Sequence, residues 1–254
     1  MEIRFDNQVV MVTGASTGIG AALARAFGAA GARVVVHYNA SGDAAKAVLK
    51  DIQSGGGTGL LVKADVTKPA QIRSMVAKVL DHWGGVDVLV NNAGGLIERS
   101  PLHEMSEETY QYIMDLNVAS VFRICQLVLP VMLRQGHGNI VNVSSVAARN
   151  GGGVNSMVYA ASKGAVSSLT RGLAKNLAAQ NIRVNALSPG IILTPFHDRW
   201  TPPDQLQAII KTVPMQRGGR AEECVGTVFF LASDALSSYV TGQVIEVNGG
   251  MLMP

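Results

Sequence analysis

Seven short apolar runs alternate with six amphipathic stretches along the chain, and this alternation restricts the folds that are open to it. The apolar runs lack the period-two pattern of a half-exposed strand, which is typical of parallel strands covered by helices on both faces. Parallel strands joined through helices by short connections form right-handed crossovers. The sequence therefore predicts an α/β fold in which a single doubly wound domain holds a seven-stranded parallel sheet.

The predicted elements follow one another without a linker or a shift in composition, so we expect one domain over residues 1–254. The predicted strands are residues 9–13, 33–37, 59–63, 86–91, 139–144, 183–188 and 243–247. The predicted helices are residues 19–30, 43–54, 69–83, 106–135, 158–180 and 221–233. Residues 190–214 are too long for a simple connection and contain several prolines, which favours a substrate lid.

Composition excludes several classes of protein. The chain is 48% hydrophobic and 15% charged, which favours a large buried core over disorder. A formal net charge of +3 without a dense Lys/Arg block does not indicate nucleic-acid binding. We see no signal peptide and no uncharged apolar stretch of membrane-spanning length, and Cys125 and Cys224 form no metal or disulfide motif. These features predict a soluble cytoplasmic protein with core thiols and no metal site.

A glycine-rich turn separates the first predicted strand from the first helix. Gly14, Gly18 and Gly20 leave room for the pyrophosphate of a dinucleotide, and the helix that follows directs its free N–H groups toward it. A glycine-rich turn without a ligand is the alternative. Asn91-Asn92-Ala93-Gly94 and Asp65 each follow a further strand, where ligands gather in open α/β sheets, although both also suit ordinary turns or helix caps.

Tyr159 and Lys163 form the strongest pair, because four residues of separation place them on one face of a helix. A nearby cation favours the phenolate, so we expect Lys163 to lower the pKa of Tyr159. Such pairs are common on helix surfaces, but Ser144-Ser145 ends the preceding strand and offers a hydroxyl to a substrate oxygen.

These motifs together resemble the short-chain dehydrogenase/reductase family. The matching segments are residues 13–20, 65–66, 91–94, Asn117, Ser145, residues 159–163, 189–190, Thr194 and residues 247–250. The chain is most similar to compact members that include 3-oxoacyl-carrier-protein reductases and sugar or polyol dehydrogenases. The resemblance implies a Rossmann domain that carries NAD(P) and interconverts a carbonyl and a secondary alcohol by hydride transfer.

The resemblance also implies a role for each matching residue. Tyr159 would be the general acid in reduction and the base in oxidation, with Lys163 lowering its pKa and binding the nicotinamide ribose. Ser145 would polarise the carbonyl, and Asn117 would hold a water in a proton relay. The implied cofactor-binding residues are Gly14, Ser16, Thr17, Gly18, Ile19, Gly20, His37, Tyr38, Asn39, Ser41, Asp65, Val66, Asn91, Ala93, Gly94, Tyr159, Lys163, Pro189, Gly190, Ile192 and Thr194.

Two details of this assignment stay open at the level of sequence. The first is the identity of the catalytic serine. Neither Ser144 nor Ser145 lies at the family's usual number of residues before the catalytic tyrosine, but alignment of the preceding strand places Ser145 at the catalytic position. At the end of the second strand, Tyr38 occupies the place of the carboxylate that would select NAD. No Arg or Lys replaces it, and His37, Asn39 and Ser41 offer only neutral donors, so we favour NADP(H) over NAD(H).

The sequence says least about the substrate. Pocket walls are expected from Leu96, Val154, Phe196 and Trp200 together with Ser145 and Tyr159. They suit a 3-oxoacyl thioester, a sugar or polyol, or a similar small carbonyl. A catalytically idle nucleotide sensor or scaffold is the main alternative function, and an epimerase or dehydratase is a weaker one.

Surplus apolar positions on the helices at residues 106–135 and 158–180 favour helix pairing across a two-fold axis. We expect a homotetramer, with a dimer as the alternative.

Overall fold

A computed structural model describes residues 3–253 as an α/β domain built on one sheet. Neighbouring strands pair in parallel throughout, in the order β3-β2-β1-β4-β5-β6-β7. The predicted doubly wound, seven-stranded parallel sheet is therefore confirmed. The strands are β1 Val9–Val12, β2 Arg33–Tyr38, β3 Thr58–Lys63, β4 Val88–Asn91, β5 Gly138–Val143, β6 Ile182–Pro189 and β7 Val244–Val247.

Helices cover both faces of the sheet. Helices α1, α2 and α10 pack into one buried cluster, and α3, α5 and α7 pack into a second cluster on the other face. Strands β1, β4 and β5 are buried along their whole length, which explains why their sequences lack the period-two pattern of a half-exposed strand. The helices are α1 Gly18–Ala29, α2 Gly42–Ser54, α3 Pro69–Trp83, α4 Glu107–Met114, α5 Ser120–Gln135, α6 Ala147–Asn150, α7 Met157–Leu177, α8 Pro195–Trp200, α9 Pro203–Thr212, α10 Val225–Ala232 and α11 Asp234–Ser237.

The strand order reverses between β1 and β4. From β1 the chain moves outward through β2 and β3, then returns to place β4 on the opposite side of β1. Connections on the two sides of such a point leave the sheet in opposite directions, so a crevice opens beyond the carboxyl ends of the strands. The glycine-rich turn and the segment after β4 both lie at this crevice.

The long helix expected at residues 106–135 is interrupted. Its middle, Asp115–Ala119, forms a π-helical turn between α4 and α5. A π turn inserts one extra residue into a helix and is frequent at functional sites. Here the inserted turn contains the fully buried Asn117.

Counted as one unit, Glu107–Gln135 is long and apolar enough to cross a membrane, although the sequence suggested no such stretch. Its apolar side chains Ile124, Val128 and Met132 belong to the second buried cluster. Through these side chains the stretch packs into the core of the domain.

Candidate active site

A cleft of about 530 Å³ lies beyond the carboxyl ends of β1, β4, β5 and β6. Its walls include most of the residues selected from the sequence. The sequence-selected residues in its lining are Gly14, Ser16, Thr17, Gly18, Ile19, His37, Asn39, Ser41, Asp65, Val66, Ala93, Gly94, Leu96, Ser145, Tyr159, Lys163, Pro189, Gly190, Ile192, Thr194, Phe196 and Trp200. Five others lie outside the lining, namely Gly20, Tyr38, Asn91, Asn117 and Val154.

The glycine-rich turn has the backbone that only glycine adopts readily. Gly14 and Gly18 have φ values of 64° and 55°. A Cβ on Gly20 would overlap the carbonyl oxygen of Gly14, so this glycine permits close packing of turn and helix rather than contact with a ligand. The N-cap residue Thr17 makes no side-chain hydrogen bond to α1. The first N–H groups of α1 therefore remain available to an anion, and the cradle fits the pyrophosphate of a dinucleotide.

His37 braces this turn from the end of β2. Its Nδ1 accepts a hydrogen bond from the N–H of Gly14 at 2.9 Å, and its Nε2 lies 3.0 Å from the carbonyl oxygen of Ala64. Burial lowers the pKa of His37, which keeps the ring neutral with the proton on Nε2. Because both ring nitrogens are engaged within the protein, His37 holds the loop and has no free donor for a phosphate.

Two adjacent asparagines at the end of β4 act differently. The Nδ2 of Asn92 donates to the carbonyl oxygens of Thr13 at 2.8 Å and Gly14 at 3.1 Å, so Asn92 ties β4 to the glycine-rich turn. Asn91 instead points into the sheet, where its Nδ2 donates to Oδ1 of Asn142 at 2.9 Å. Asn92 also lines the cleft, in the Asn91–Gly94 segment that the sequence placed at this edge, although it was not among the predicted cofactor-binding residues.

Asp65 lines the cleft beyond β3 and caps its own loop. Its Oδ1 accepts from the N–H of Thr67 at 2.9 Å and from the hydroxyl of the same residue at 2.7 Å. These contacts match the capping alternative and leave the carboxylate at the cleft surface.

Tyr159 and Lys163 face the cleft from one side of α7. The Nζ of Lys163 lies 5.9 Å from the centroid of the Tyr159 ring and donates to the carbonyl oxygen of Val143 at 2.8 Å. Burial raises the pKa of Tyr159 to about 12, against a weaker lowering by its hydrogen bond with Ser145. The expectation of a lowered phenol pKa is therefore wrong for the protein alone, because loss of hydration outweighs the favourable contacts. Burial also lowers the pKa of Lys163 to about 8.

The two serines after β5 have separate surroundings. The hydroxyl of Ser144 is buried and donates to the carbonyl oxygen of Lys163 at 3.1 Å, with the Ser167 hydroxyl 2.7 Å away. Ser145 is more exposed, and its hydroxyl interacts with the phenol of Tyr159. The fold thus places Ser145 beside the phenol and uses Ser144 to join β5 to α7.

Asn117 lies beneath the cleft in the π turn. Its Oδ1 accepts from the N–H of Gly95 at 3.0 Å, and its Nδ2 donates to the carbonyl oxygen of Gly95 at 2.9 Å. A Cβ on Gly94 would lie 2.7 Å from Oδ1 of Asn117 and 3.1 Å from Nζ of Lys163. The side chain of Asn117 therefore fixes the loop after β4 close to the lysine.

The other end of the cleft is closed by α8 and the loop before α7. The ring of Phe196 lies 6.0 Å from that of Tyr159, and Trp200 and the buried Leu96 complete the apolar wall. Val154 does not line the cleft, and the residue is 82% exposed. Tyr112 and Asn150 also line the cleft and were not among the residues predicted from the sequence.

Tyr38 lies at the end of β2 but not in the cleft wall. Its ring packs against the first buried cluster, and a Cβ on Gly42 would lie 3.3 Å from its Cε2 atom. Asn39 and Ser41 are the polar side chains that this segment presents to the cleft. Within residues 3–253, no group of three or more His, Cys, Asp or Glu side chains is placed to hold a metal ion.

Comparison with known proteins decides the family. A family model described as enoyl-(acyl carrier protein) reductase matches residues 14–252. The 3-oxoacyl-[acyl-carrier-protein] reductase of Synechocystis sp. is 40% identical over 248 residues, which cover 97% of this chain and 97% of that protein. This chain belongs to the short-chain dehydrogenase/reductase family.

Solved structures of the short-chain dehydrogenase/reductase family share the fold over almost the whole chain. A 7α-hydroxysteroid dehydrogenase complexed with NADH and 7-oxo glycochenodeoxycholic acid has a TM-score of 0.92 and 37% identity, covering 98% of this chain and 96% of its own. A gluconate 5-dehydrogenase from Burkholderia cenocepacia in complex with NADP and tartrate has a TM-score of 0.90 and 32% identity, covering 98% and 97%. The family resemblance read from the motifs is therefore confirmed, and the protein is an NAD(P)-dependent short-chain dehydrogenase/reductase.

Proposed function

We propose that this short-chain dehydrogenase/reductase interconverts a small carbonyl and a secondary alcohol, with Tyr159 as the general acid and base. The observation that carries the proposal is the meeting of the Tyr159 phenol, the Ser145 hydroxyl and the Lys163 ammonium at one wall of the cleft. When bound along the glycine-rich turn, the nicotinamide cofactor supplies or accepts the hydride at the substrate carbon.

The protonation states of these side chains suit reduction at neutral pH. With a pKa of about 12, Tyr159 holds its proton and can donate it to the oxygen that gains charge as hydride reaches the carbon. Ser145 donates a hydrogen bond to the same oxygen and so stabilises that charge. In oxidation the phenolate takes the alcohol proton instead.

Lys163 supplies the charge that the phenolate needs. With a pKa of about 8 it is cationic at neutral pH, and it lies one helical turn from the phenol. Asn117 is assigned to positioning, since its side-chain amide is already engaged by Gly95 beside the lysine. A proton relay through water held near Asn117 stays a prediction.

We assign NADP(H) as the preferred cofactor. The segment after β2 presents Asn39 and Ser41 to the cleft and no carboxylate that would repel a 2′-phosphate. The Asn39→Asp variant places a carboxylate at the cleft surface and is expected to shift kcat/KM toward NADH by repelling the phosphate. A wild type that already prefers NADH by about tenfold or more (1.4 kcal/mol) would refute the assignment.

Residues 190–214 are assigned to a substrate lid. Helix α8 carries Phe196 and Trp200 over the cleft, and α9 follows it. The substrate is a 3-oxoacyl thioester, a sugar or polyol, or a similar small carbonyl. The buried free thiols of Cys125 and Cys224 fit a reducing compartment, so the protein is assigned to the cytoplasm. Its assigned oligomeric state is a homotetramer.

A turnover screen tests the proposed activity. Acetoacetyl thioesters, keto sugars and diketones would each be offered with NADPH and with NADH, and cofactor oxidation would be followed. Turnover of at least one carbonyl with its alcohol as product is expected. Cofactor binding without turnover of any substrate would favour an idle sensor or scaffold, and stereochemical inversion without net cofactor oxidation would favour an epimerase.

A further inference from the structure

The substrate end of the cleft carries unbalanced positive charge. Arg99 and Arg199 both line it. Among the described lining residues Asp65 is the only carboxylate, and it follows β3, on the side of the glycine-rich turn, where it already accepts two hydrogen bonds from Thr67. Charge of one sign focused in a cleft attracts a ligand of the opposite sign.

Arg99 is held in a fixed orientation. Its Nε donates to the carbonyl oxygen of Trp200 at 2.9 Å, and its Nη1 donates to the carbonyl oxygen of Val154 at 3.0 Å. These two bonds link the end of α8 to the loop before α7, so the guanidinium spans the two segments that close the cleft.

Part of the guanidinium remains free. A guanidinium has five N–H donors, and the two carbonyls use only two of them. Within residues 3–253, the Nη2 group of Arg99 has no protein partner. One N–H of Nη2 and the second N–H of Nη1 form a fork that matches the two oxygens of a carboxylate.

Nearby carboxylates of the protein do not neutralise this fork. The Oε2 of Glu98 accepts from the hydroxyl of Thr109 at 3.3 Å, on the side of α4. Asp198 lies near the buried His197, where it raises the pKa of that histidine while Arg99 lowers it. Burial has the largest effect and keeps the pKa of His197 below its ordinary value. No ion pair joins Arg99 to an acidic side chain in the described part of the chain.

Arg99 and Tyr159 lie near opposite ends of α8. Phe196 packs near Tyr159, and Trp200, at the other end of α8, binds Arg99. Four residues of helix span about 6 Å. A carboxylate on Arg99 would therefore lie toward the far end of α8 from a carbonyl held beside Tyr159.

We propose that Arg99 binds a carboxylate at the end of the substrate remote from the reacting carbon, so that the protein favours keto and hydroxy acids over neutral carbonyls and polyols. This inference rests on the proposed function for the reacting end of the substrate. A 2-keto acid, whose carboxylate adjoins its carbonyl, does not fit this arrangement.

Calorimetry with a matched pair of ligands tests the carboxylate site without turnover. D-gluconate and D-glucitol share a carbon chain and differ in a terminal carboxylate or CH2OH, and both would be titrated into the full chain with reduced cofactor present, which cannot oxidise them. Wild type is expected to bind gluconate at least tenfold more tightly than glucitol. Arg99→Gln should lower the affinity for gluconate by about 10- to 100-fold, because the charge-assisted hydrogen bonds to the carboxylate are lost. The affinity for glucitol should stay within a few-fold of wild type. Arg99→Lys should recover part of the loss.

The control is Arg73→Gln, which removes an exposed cation on α3, far from the cleft, and should change neither affinity. If Arg99→Gln lowers the affinity for both ligands equally, Arg99 only connects the two segments that it hydrogen-bonds, and the proposal is overturned. Equal binding of both ligands by wild type would overturn it as well.

Turnover of 5-keto-D-gluconate against L-sorbose, its neutral counterpart, completes the test. A preference for the keto acid that disappears in Arg99→Gln is the expected result. Turnover of acetoacetyl thioesters or sorbose without any preference for the keto acid would refute the carboxylate site and leave the proposed function intact. Tight gluconate binding that depends on Arg99, without turnover of any carbonyl, would refute the function and leave the site intact.

Discussion

Ser144 and Ser145 are identical neighbours with different surroundings. Successive residues leaving a strand point to opposite sides, so one hydroxyl turns back to α7 and the other turns to the cleft. Asn91 and Asn92 divide in the same way at the end of β4. The sequence could place each pair at the site, but the choice within each pair depends on the neighbouring strand and helix, which short motifs do not specify.

Two alanine substitutions distinguish the roles of Ser144 and Ser145. Ser145→Ala should lower kcat by about 10²–10³-fold with little change in stability, because one donor to the reacting oxygen is lost. Ser144→Ala should cost about 1–3 kcal/mol of unfolding free energy, because buried hydrogen bonds to α7 are lost. Steady-state kinetics and chemical denaturation of both variants check this, and the reverse pattern would move the reacting hydroxyl to Ser144.

At the scale of elements, the strands and their parallel direction could be predicted because buried strands and covering helices leave distinct apolar patterns. Predicted bounds differ from the observed ones by one or two residues, as for β4, which begins at Val88 instead of residue 86. The π turn at Asp115–Ala119 could not be predicted, since its residue types also suit an α-helix. Helices α8 and α9 within 190–214 were also missed, because the prolines there resemble loop signals although Pro195 and Pro203 begin helices.

Gly20 tests the packing between the glycine-rich turn and α1. A Cβ there would meet the carbonyl oxygen of Gly14 and lie 2.5 Å from Nδ2 of Asn92, so Gly20→Ala should displace the turn. We expect a loss of about 1–3 kcal/mol in stability together with weaker cofactor binding. Gly226→Ala is the control, since a Cβ at this position in α10 meets nothing within 4 Å. Unchanged cofactor affinity in Gly20→Ala would show that the turn tolerates the displacement.

At the scale of the whole molecule, the two buried clusters account for most apolar residues that the sequence offered for helix pairing. Leu169 and Leu173, for example, pack against the second cluster. Phe122 and Leu133 on α5 remain 53% and 46% exposed. We therefore expect an assembly surface narrower than the helical pattern suggested, and α5 is the helix that we expect it to include.

Phe122→Glu tests the expected homotetramer. A charge at the centre of an apolar interface is costly to bury, so the variant should dissociate toward dimers or monomers at micromolar concentration, as measured by light scattering. Leu102→Glu changes another exposed apolar residue away from α5 and should leave the mass unchanged. A wild-type mass near 26.7 kDa would reject the tetramer, and a Phe122→Glu variant of unchanged mass would reject this interface.

The central claim is that Tyr159 transfers the proton that accompanies hydride transfer. The most direct measurement compares kcat and cofactor affinity of wild type and Tyr159→Phe, which removes the hydroxyl and keeps the ring. We predict a fall in kcat of about 10²–10⁴-fold with cofactor affinity within a few-fold of wild type. A variant that turns over substrate within a few-fold of the wild-type rate would contradict the account.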